Sequence, residues 1–214
     1  MKIAILGSAP SSMALAPFGD PTWQIWGCSP GLYPNCPRVD AWFELHRWEP
    51  PVIGNPALQK PWFSPEYVAW MAKQKLVWMF AKVPEIPGSD AYPVEEMCRK
   101  FGNYFMTSSI SWMMSMAIDQ ILLERETRTE PATEFDAIAL YGVDMAASEE
   151  YGYQRAGCQY FIQMAVNLGI EIKIPPESDL LRPMPMYGIW ESSHFAIKVT
   201  KRKQELQSRL AHHQ

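Results

Sequence analysis

The stretch that most constrains the fold of this chain covers residues 135–145, FDAIALYGVDM. Its apolar run, 137–141, shows no alternation of polar and apolar residues, which is typical of a parallel strand covered on both faces. Gly142 and Asp144 follow this run, and ligands of open parallel sheets bind beyond the carboxyl ends of the strands. We therefore predict that Asp144 contacts a bound small molecule. The structural alternative is that Asp144 only caps the next turn.

The remaining patterns extend this strand into an α/β fold. Strands are predicted over 2–6, 22–28, 39–46 and 170–174, and helices over 64–74, 93–101, 110–124, 157–168 and 195–213. A further helix-compatible segment begins at Met13, and a polar loop is predicted over 146–154. A length of 214 residues with 48% hydrophobic and 20% charged residues suits one globular domain. We predict a single α/β domain over 1–214, with a mostly parallel open sheet and helices on both faces.

Segment 48–90 differs in composition from the rest of the chain. It carries seven prolines between Pro50 and Pro87, and tryptophans at 48, 62, 70 and 78. Prolines interrupt regular elements, so this pattern favours a Trp- and Pro-rich insertion that closes over a site as a lid. A surface excursion without a catalytic role is the alternative.

Charge and cysteine spacing narrow the classes of function. The net charge of −4 argues against general nucleic-acid binding, and the basic residues around 198–203 are interpreted as a solvated helix face. The four cysteines show no C-x-x-C spacing, which predicts free thiols rather than a zinc site. No apolar run reaches the ~18 residues of a membrane span, so we expect a cytoplasmic protein.

The turn after the first strand, residues 7–12, reads GSAPSS and supplies the first group of candidate ligand-binding residues. A glycine and free amides at the start of a helix suit a phosphate group. The turn is neither G-x-G-x-x-G nor a P-loop, and a plain turn capped by Ser11 or Ser12 explains it as well. The candidates here are Gly7, Ser8, Pro10, Ser11 and Ser12.

Two further groups of polar residues are predicted at the same rim. Ser29 ends the second strand, while Glu44 and His46 are alternate residues on the third and therefore share a face. Glu44 and His46 suit an acid/base pair or a ribose contact, although a surface Glu beside a His with satisfied hydrogen bonds is commoner. The second group lies at a predicted helix start and consists of Thr107, Ser108 and Ser109. Their hydroxyls and amides suit a phosphate or a carboxylate, or serve only as a helix cap.

Taken in order, these motifs resemble a Rossmann-like superfamily. The motifs are GSAPSS at 7–12, TSS at 107–109, YGVDM at 141–145 and PPES at 175–178. The superfamily includes bacterial sialyltransferases that use CMP-sialic acid and the archaeal-type 6-hydroxymethylpterin diphosphokinase group. Residues 151–155 and 181–188 are also similar to small uncharacterised bacteriophage proteins.

The resemblance implies a set of nucleotide contacts. In the sialyltransferases the matching turns surround the cytidine nucleotide, which implies such a role for Gly7, Pro10, Ser11, Thr107, Ser108 and Asp144. The chain departs from the family where a favoured asparagine is replaced by Ser8 or Ala9. It also departs at the family's catalytic histidine, since 150–155 read EYGYQR.

These observations lead to a nucleotide- or nucleotide-sugar-binding, glycosyltransferase-like enzyme as the first hypothesis. The candidates for the general base are, in falling order, His46, Asp144 and Glu150, with His46 favoured over His194. Gly142 and Tyr151 complete the predicted nucleotide site.

Three alternatives stay open at this point. One is diphosphokinase-like transfer from ATP with Mg²⁺ near Asp40, Glu44 and Asp144. The second is a phage protein that binds a nucleotide or a host protein without catalysis. The third is a structural or assembly protein, and a homo-oligomer is compatible with the sequence.

Overall fold

A computed structural model describes residues 1–50, 63–129, 135–145, 149–181, 199 and 202–203, with the backbone alone at 149–151. The chain divides into two compact units, 1–180 and 181–214. The first unit carries all of the sheet described below. In the second unit, the described residues Val199, Arg202 and Lys203 are helical, and the rest of the predicted helix over 195–213 lies outside the described residues.

Within these residues, seven strands form one sheet in which every neighbouring pair is parallel. The strand order is β5-β4-β3-β2-β1-β6-β7. Their bounds are β1 Lys2–Leu6, β2 Gln24–Cys28, β3 Ala41–Phe43, β4 Val77–Met79, β5 Ser89–Ala91, β6 Ala137–Tyr141 and β7 Glu171–Lys173. The predicted α/β class with an open parallel sheet is confirmed.

Helices cover both faces of this sheet. The bounds are α1 Pro65–Met71, α2 Val94–Phe101, α3 Ser109–Thr127 and α4 Glu149–Asn167. Ile3 and Ile5 of β1 pack in one apolar cluster with α2, α3 and α4, whereas Ala4 and Leu6 pack in a second cluster with α1. The alternation arises because successive side chains of a strand point to opposite faces. Both faces are therefore buried, as the apolar runs predicted.

The topology creates a crevice beside β1. This strand lies between β2 and β6, and the strand order runs away from it in both directions. Loops after β1 and β6 leave toward different sides of the sheet, which opens a space at the carboxyl ends of these two strands. The stretch that first suggested the fold, β6, therefore ends at the switch point.

Two local predictions were wrong. A helix was expected from Met13, but the chain forms only a short 3-10 turn, Met13–Leu15. The segment up to Gln154 was expected to be a loop, but α4 already begins at Glu149. This helix start was missed because helix propensity is weak at Tyr151, Gly152 and Tyr153. Packing of α4 on α3 outweighs the weak propensity.

Segment 48–90 contributes to the sheet. It holds α1, β4 and the first residues of β5, and it supplies buried side chains such as Phe63, Tyr67 and Met71. Strands of three residues each, flanked by prolines, carried too little pattern to be predicted. Residues 51–62 lie outside the described part of the chain, and closure of this segment over a ligand stays a prediction.

Among the described residues, no helix combines the length and the apolar character that crossing a lipid bilayer requires.

Candidate functional site

A cleft of about 550 Å³ lies at the carboxyl ends of β1, β2, β3 and β6. Its volume falls in the range of small-molecule sites. Eight predicted site residues line it: Gly7, Ser8, Ser29, His46, Ser108, Ser109, Gly142 and Asp144. Ala9, Cys28, Ile110, Val143, Met145 and Gln154 complete the lining. The structure therefore brings together residues that lie up to 147 positions apart (Gly7 to Gln154) in the sequence.

The floor of the cleft is made by two glycines in backbone contact. A Cβ on Gly7 would lie 2.4 Å from the Gly142 carbonyl oxygen, and one on Gly142 would lie 2.5 Å from the Gly7 oxygen. Gly142 also has a φ of +64°, which side chains disfavour. Ala9 N donates to Gly142 O over 2.9 Å, and Gly7 N donates to Tyr141 O over 2.8 Å. Since these amides are already bonded, the first turn offers fewer phosphate donors than predicted.

The serines of the first turn hold the tip of β6. The Ser12 hydroxyl is buried and accepts from Gly142 N over 2.9 Å, so it does not cap the short 3-10 turn. Ser11 Oγ donates to Asp144 Oδ1 over 2.9 Å, which places Asp144 at the rim of the cleft. Pro10 is exposed and does not line the cleft.

Two residues of the lining have an unusual backbone. Among the described non-glycine residues, Ser29 and Met145 have positive φ values, 84° and 48°. Such conformations cost free energy for L-amino acids and concentrate at functional sites. Ser29 follows β2 and Met145 follows β6, so the strain lies at the strand ends that form the cleft.

The amino end of α3 forms one wall. Ser108 caps the helix, because its hydroxyl accepts from Ser111 N over 3.1 Å. Ser109 and Ile110 line the cleft, and as the first helical residues their amides have no acceptor in the helical ladder. Partial positive charge at the amino end of a 19-residue helix favours an anion.

Helix α4 approaches this wall closely through Gly157. A Cβ there would lie 2.2 Å from Thr107 Oγ1 and 2.5 Å from Phe105 O. Thr107 Oγ1 donates to Tyr153 O over 3.0 Å, so Thr107 joins α4 to the α3 loop and does not line the cleft. Gln154 of α4 does line it, a contact that the expected loop over 146–154 had hidden.

His46 also lines the cleft, where it is bound to a buried carboxylate. Glu44 is 1% exposed, and its Oε1 is hydrogen-bonded to His46 Nδ1. This bond raises the pKa of His46, while partial burial lowers it to a smaller extent. The predicted pairing of the two residues is present, although both follow β3 and the Glu is buried rather than at the surface.

The second oxygen of Glu44 is held by a residue that sequence reasoning missed. Tyr67 of α1 donates its hydroxyl proton to Glu44 Oε2 over 2.8 Å, and Trp42 Nε1 donates to the same hydroxyl over 2.6 Å. Both aromatic side chains are fully buried. No local signal could have found this contact, because Tyr67 lies 23 residues from Glu44 in the chain.

The residues proposed to hold Mg²⁺ do not converge. Asp40 precedes β3 and thus lies toward the amino ends of the strands, where its Oδ2 accepts from Ile25 N and Arg38 Nη2, each over 2.8 Å. Both oxygens of Glu44 are taken by His46 and Tyr67. Across the described ranges, no group of three metal-binding side chains comes together. The set Asp40, Glu44 and Asp144 therefore does not fit a magnesium ion.

Three predicted residues cannot be placed by their side chains. Glu150 and Tyr151 belong to the first turn of α4, but their side chains lie outside the described part. His194, the alternative base, lies outside it entirely. The four cysteines are free thiols, and burial raises the pKa of Cys28 in the cleft to about 12, so that it stays protonated.

The fold defines a parallel α/β protein with a cleft at the switch point of its sheet. Comparison with known proteins adds no relative: no family model matches the chain, and no curated protein or solved structure matches it significantly.

Proposed function

We propose that this protein is a nucleotide- or nucleotide-sugar-binding transferase of the glycosyltransferase-like kind, with its active site in the cleft. One observation carries the proposal: His46, bonded to a buried Glu44, lines the same cleft as the amino end of α3. A proton-transferring group and an anion-attracting helix end are the two parts that group transfer from a nucleotide requires.

The phosphates of the donor are assigned to the α3 side. Amides of Ser109 and Ile110 and the hydroxyl of Ser109 are the donors there. This differs from the first turn favoured by the sequence, since two of that turn's amides are used inside the protein. Ser8 and Ser29, which also line the cleft, supply further hydroxyls for a ribose or sugar.

His46 is the proposed general base for the acceptor hydroxyl. With Nδ1 engaged by Glu44, proton exchange with a substrate runs through Nε2. Asp144, held at the rim by Ser11, is assigned to the nucleotide or the acceptor as a hydrogen-bond acceptor. Magnesium is given no role, because the carboxylates considered for it do not converge.

A thermal-shift panel with CMP, UDP, GDP and ATP tests the binding part. A nucleotide at ~100 times its dissociation constant adds ~2.7 kcal/mol of stability. We expect stabilisation by at least one nucleotide, and a loss of that effect when Ser109→Pro removes an amide at the α3 amino end. Pro is tolerated at a first helical position, so the fold should persist. No stabilisation by any nucleotide would contradict the proposal.

Turnover tests the catalytic part separately. With the nucleotide found in the panel, or its sugar conjugate, His46→Gln should retain binding and lose turnover by ~10²-fold or more. Binding by the wild type without turnover of any tested conjugate would instead support the non-catalytic binding protein.

A further inference from the structure

We propose that the hydrogen-bonded series Trp42, Tyr67 and Glu44 fixes the tautomer of His46, with the proton on Nδ1 and the proton-accepting lone pair on Nε2. Tyr67 is the positioning residue of this series, because it orients Glu44. The catalytic meaning of this inference rests on the proposed function. The tautomer itself is a property of the ligand-free protein and can be tested without any nucleotide.

The direction of the hydrogen-bond chain begins at Trp42. An indole N–H can only donate, so the bond of 2.6 Å from Trp42 Nε1 makes the Tyr67 oxygen an acceptor. The hydroxyl has one proton, and it points to Glu44 Oε2 over 2.8 Å. Both aromatic side chains are buried, which keeps water from offering other partners.

This series of hydrogen bonds then determines where the proton between Glu44 and His46 lies. Oε2 receives the proton of Tyr67 and, among the contacts described, meets no other group that could accept a proton from it. A proton must lie between Oε1 and His46 Nδ1, since two lone pairs in contact would repel each other. The bond to Glu44 raises the pKa of His46, so the imidazole is the partner that keeps a proton. The proton therefore belongs to Nδ1.

This arrangement prepares the imidazole for its role. A neutral imidazole carries one proton, so protonated Nδ1 leaves Nε2 as the basic nitrogen. A base at the cleft needs this tautomer, whereas the opposite one would present an N–H donor. Tyr67 acts on the reaction only through Glu44 and His46.

The test is the tautomer of neutral His46, read from two-bond ¹H–¹⁵N correlations at a pH above its raised pKa and assigned by the loss of the signal in His46→Gln. We expect the Nδ1–H form in the wild type. In Glu44→Gln, the Tyr67 hydroxyl still needs an acceptor, so the introduced carboxamide turns its oxygen to Tyr67 and its NH₂ to Nδ1. The tautomer should then reverse to Nε2–H.

A second substitution isolates the contribution of Tyr67. In Glu44→Gln with Tyr67→Phe, the carboxamide is no longer oriented by a hydroxyl, and the Nδ1–H form should reappear. The matched control is Glu44→Gln with Tyr33→Phe, because Tyr33 packs against Tyr67 with ring centroids 4.9 Å apart but is not in the chain of bonds. That control should keep the Nε2–H form.

Several results would overturn the inference. These are an Nε2–H form in the wild type, an unchanged tautomer in Glu44→Gln, a double variant with Tyr67→Phe that stays reversed, or recovery in the Tyr33→Phe control. The wild-type reading alone tests the inference if Glu44→Gln fails to fold. A negative nucleotide panel would remove the proposed function and leave the tautomer result standing.

Discussion

Strand β6 has an aspartate near each end, and the two have opposite surroundings. Asp136, just before the strand, is buried and accepts from Arg125 Nε over 2.7 Å, from Arg128 Nη2 over 2.9 Å and from the Met1 amino group. Asp144, beyond the other end, is half-buried and accepts from the Ser11 hydroxyl over 2.9 Å and from Asp179 N over 3.4 Å. Among the described residues, three cationic groups donate to Asp136, whereas the donors to Asp144 are neutral.

The difference separates stability from binding along a single strand. Arg125 also donates to Leu168 O and Gly169 O, so the Asp136 cluster ties the start of β6 to the end of α4. A carboxylate with several charged donors costs little to keep ionised and contributes to folding. A weakly bonded carboxylate at a cleft contributes little to folding and can accept from a ligand instead.

The largest expected effect concerns the cleft end of β6. If Asp136 alone decided stability, residues at the cleft end could be changed without loss of folding, and Gly142 tests this. Gly142→Ala places a Cβ 2.5 Å from the Gly7 oxygen at a φ of +64°. We expect a loss of about 3 kcal/mol in the free energy of unfolding, from strain and overpacking together. Urea denaturation measures it.

Gly19→Ala is the matched control for that change. A Cβ on Gly19 meets nothing within 4 Å. Its effect should stay within about 0.5 kcal/mol. Equal stabilities for the Gly142→Ala and Gly19→Ala variants would show that the contact of the two loops is not needed for the fold.

The next effect concerns the amino end of β6. Burial raises the pKa of Asp136, but its bonds to the Met1 amino group, Arg125 and Arg128 outweigh burial and lower the pKa from 3.8 to about 2. A carboxyl group whose pKa is lowered by folding stabilises the folded protein at pH values above the pKa of the unfolded chain. This stabilisation is lost as the pH falls through the pKa of the folded protein. Asp136→Asn should therefore lower the free energy of unfolding by about 2 kcal/mol at neutral pH, and the difference from the wild type should disappear as the pH falls to about 2 and below.

Denaturation of the wild type and Asp136→Asn at several pH values measures this difference. Asp90→Asn is the control, since Asp90 is exposed and its carboxylate bonds only to the neighbouring amide of Ala91 among the contacts described. It should change stability by less than about 0.5 kcal/mol at every pH. A constant gap for Asp136→Asn across the acid range would contradict the ion-pair account.

The sequence predicted the sheet centre and the edge strand β7, but not the opposite edge formed by β4 and β5. Long apolar runs define β1, β2 and β6, because a strand covered on both faces must be apolar throughout. Strands β4 and β5 have three residues each, and their pairing partners are set by tertiary contacts that no local pattern contains. The short 3-10 turn at Met13 was missed for the same reason, since packing decides whether a helix-compatible segment becomes a helix.

The candidate site shows the same division. Polar residues after a buried strand could be predicted to meet at one rim, and Ser29, His46 and Asp144 do line one cleft. Side chains that act from inside the core could not be predicted. Tyr67 has the sequence pattern of a core residue, and its role follows only from the bond to Glu44.

The third prediction returns to the cleft end of β6. Asp144→Ala should weaken binding of the nucleotide with the largest thermal shift by about tenfold, equal to 1.4 kcal/mol, because a hydrogen-bond acceptor at the rim is lost. Its free energy of unfolding should change by less than about 0.5 kcal/mol, since its partners are few. Calorimetric titration gives the affinity, and urea denaturation gives the stability.

Ser11→Ala serves as the control for Asp144. It removes the donor to Asp144 Oδ1 but leaves the carboxylate, so the affinity should fall less than in Asp144→Ala. An Asp144→Ala variant that is unfolded, or that binds as well as the wild type, would make the two ends of β6 equivalent and assign Asp144 a structural role.

The smallest effect is the contribution of His46 to stability and its dependence on pH. The bond to Glu44 raises the pKa of His46 above 6.5 in the folded protein. A histidine whose pKa is raised by folding stabilises the folded protein fully at pH values below its pKa in the unfolded chain. This stabilisation is lost as the pH rises through its pKa in the folded protein. Because 44% of the His46 side chain is exposed, water screens the pair, and we expect only a few tenths of a kcal/mol. The free energy of unfolding of the wild type should exceed that of His46→Gln most near pH 5.5, and the gap should narrow toward about pH 9. Urea denaturation of both proteins across this range measures the gap, and a gap that widens with pH would mean that the folded protein holds His46 in its neutral form.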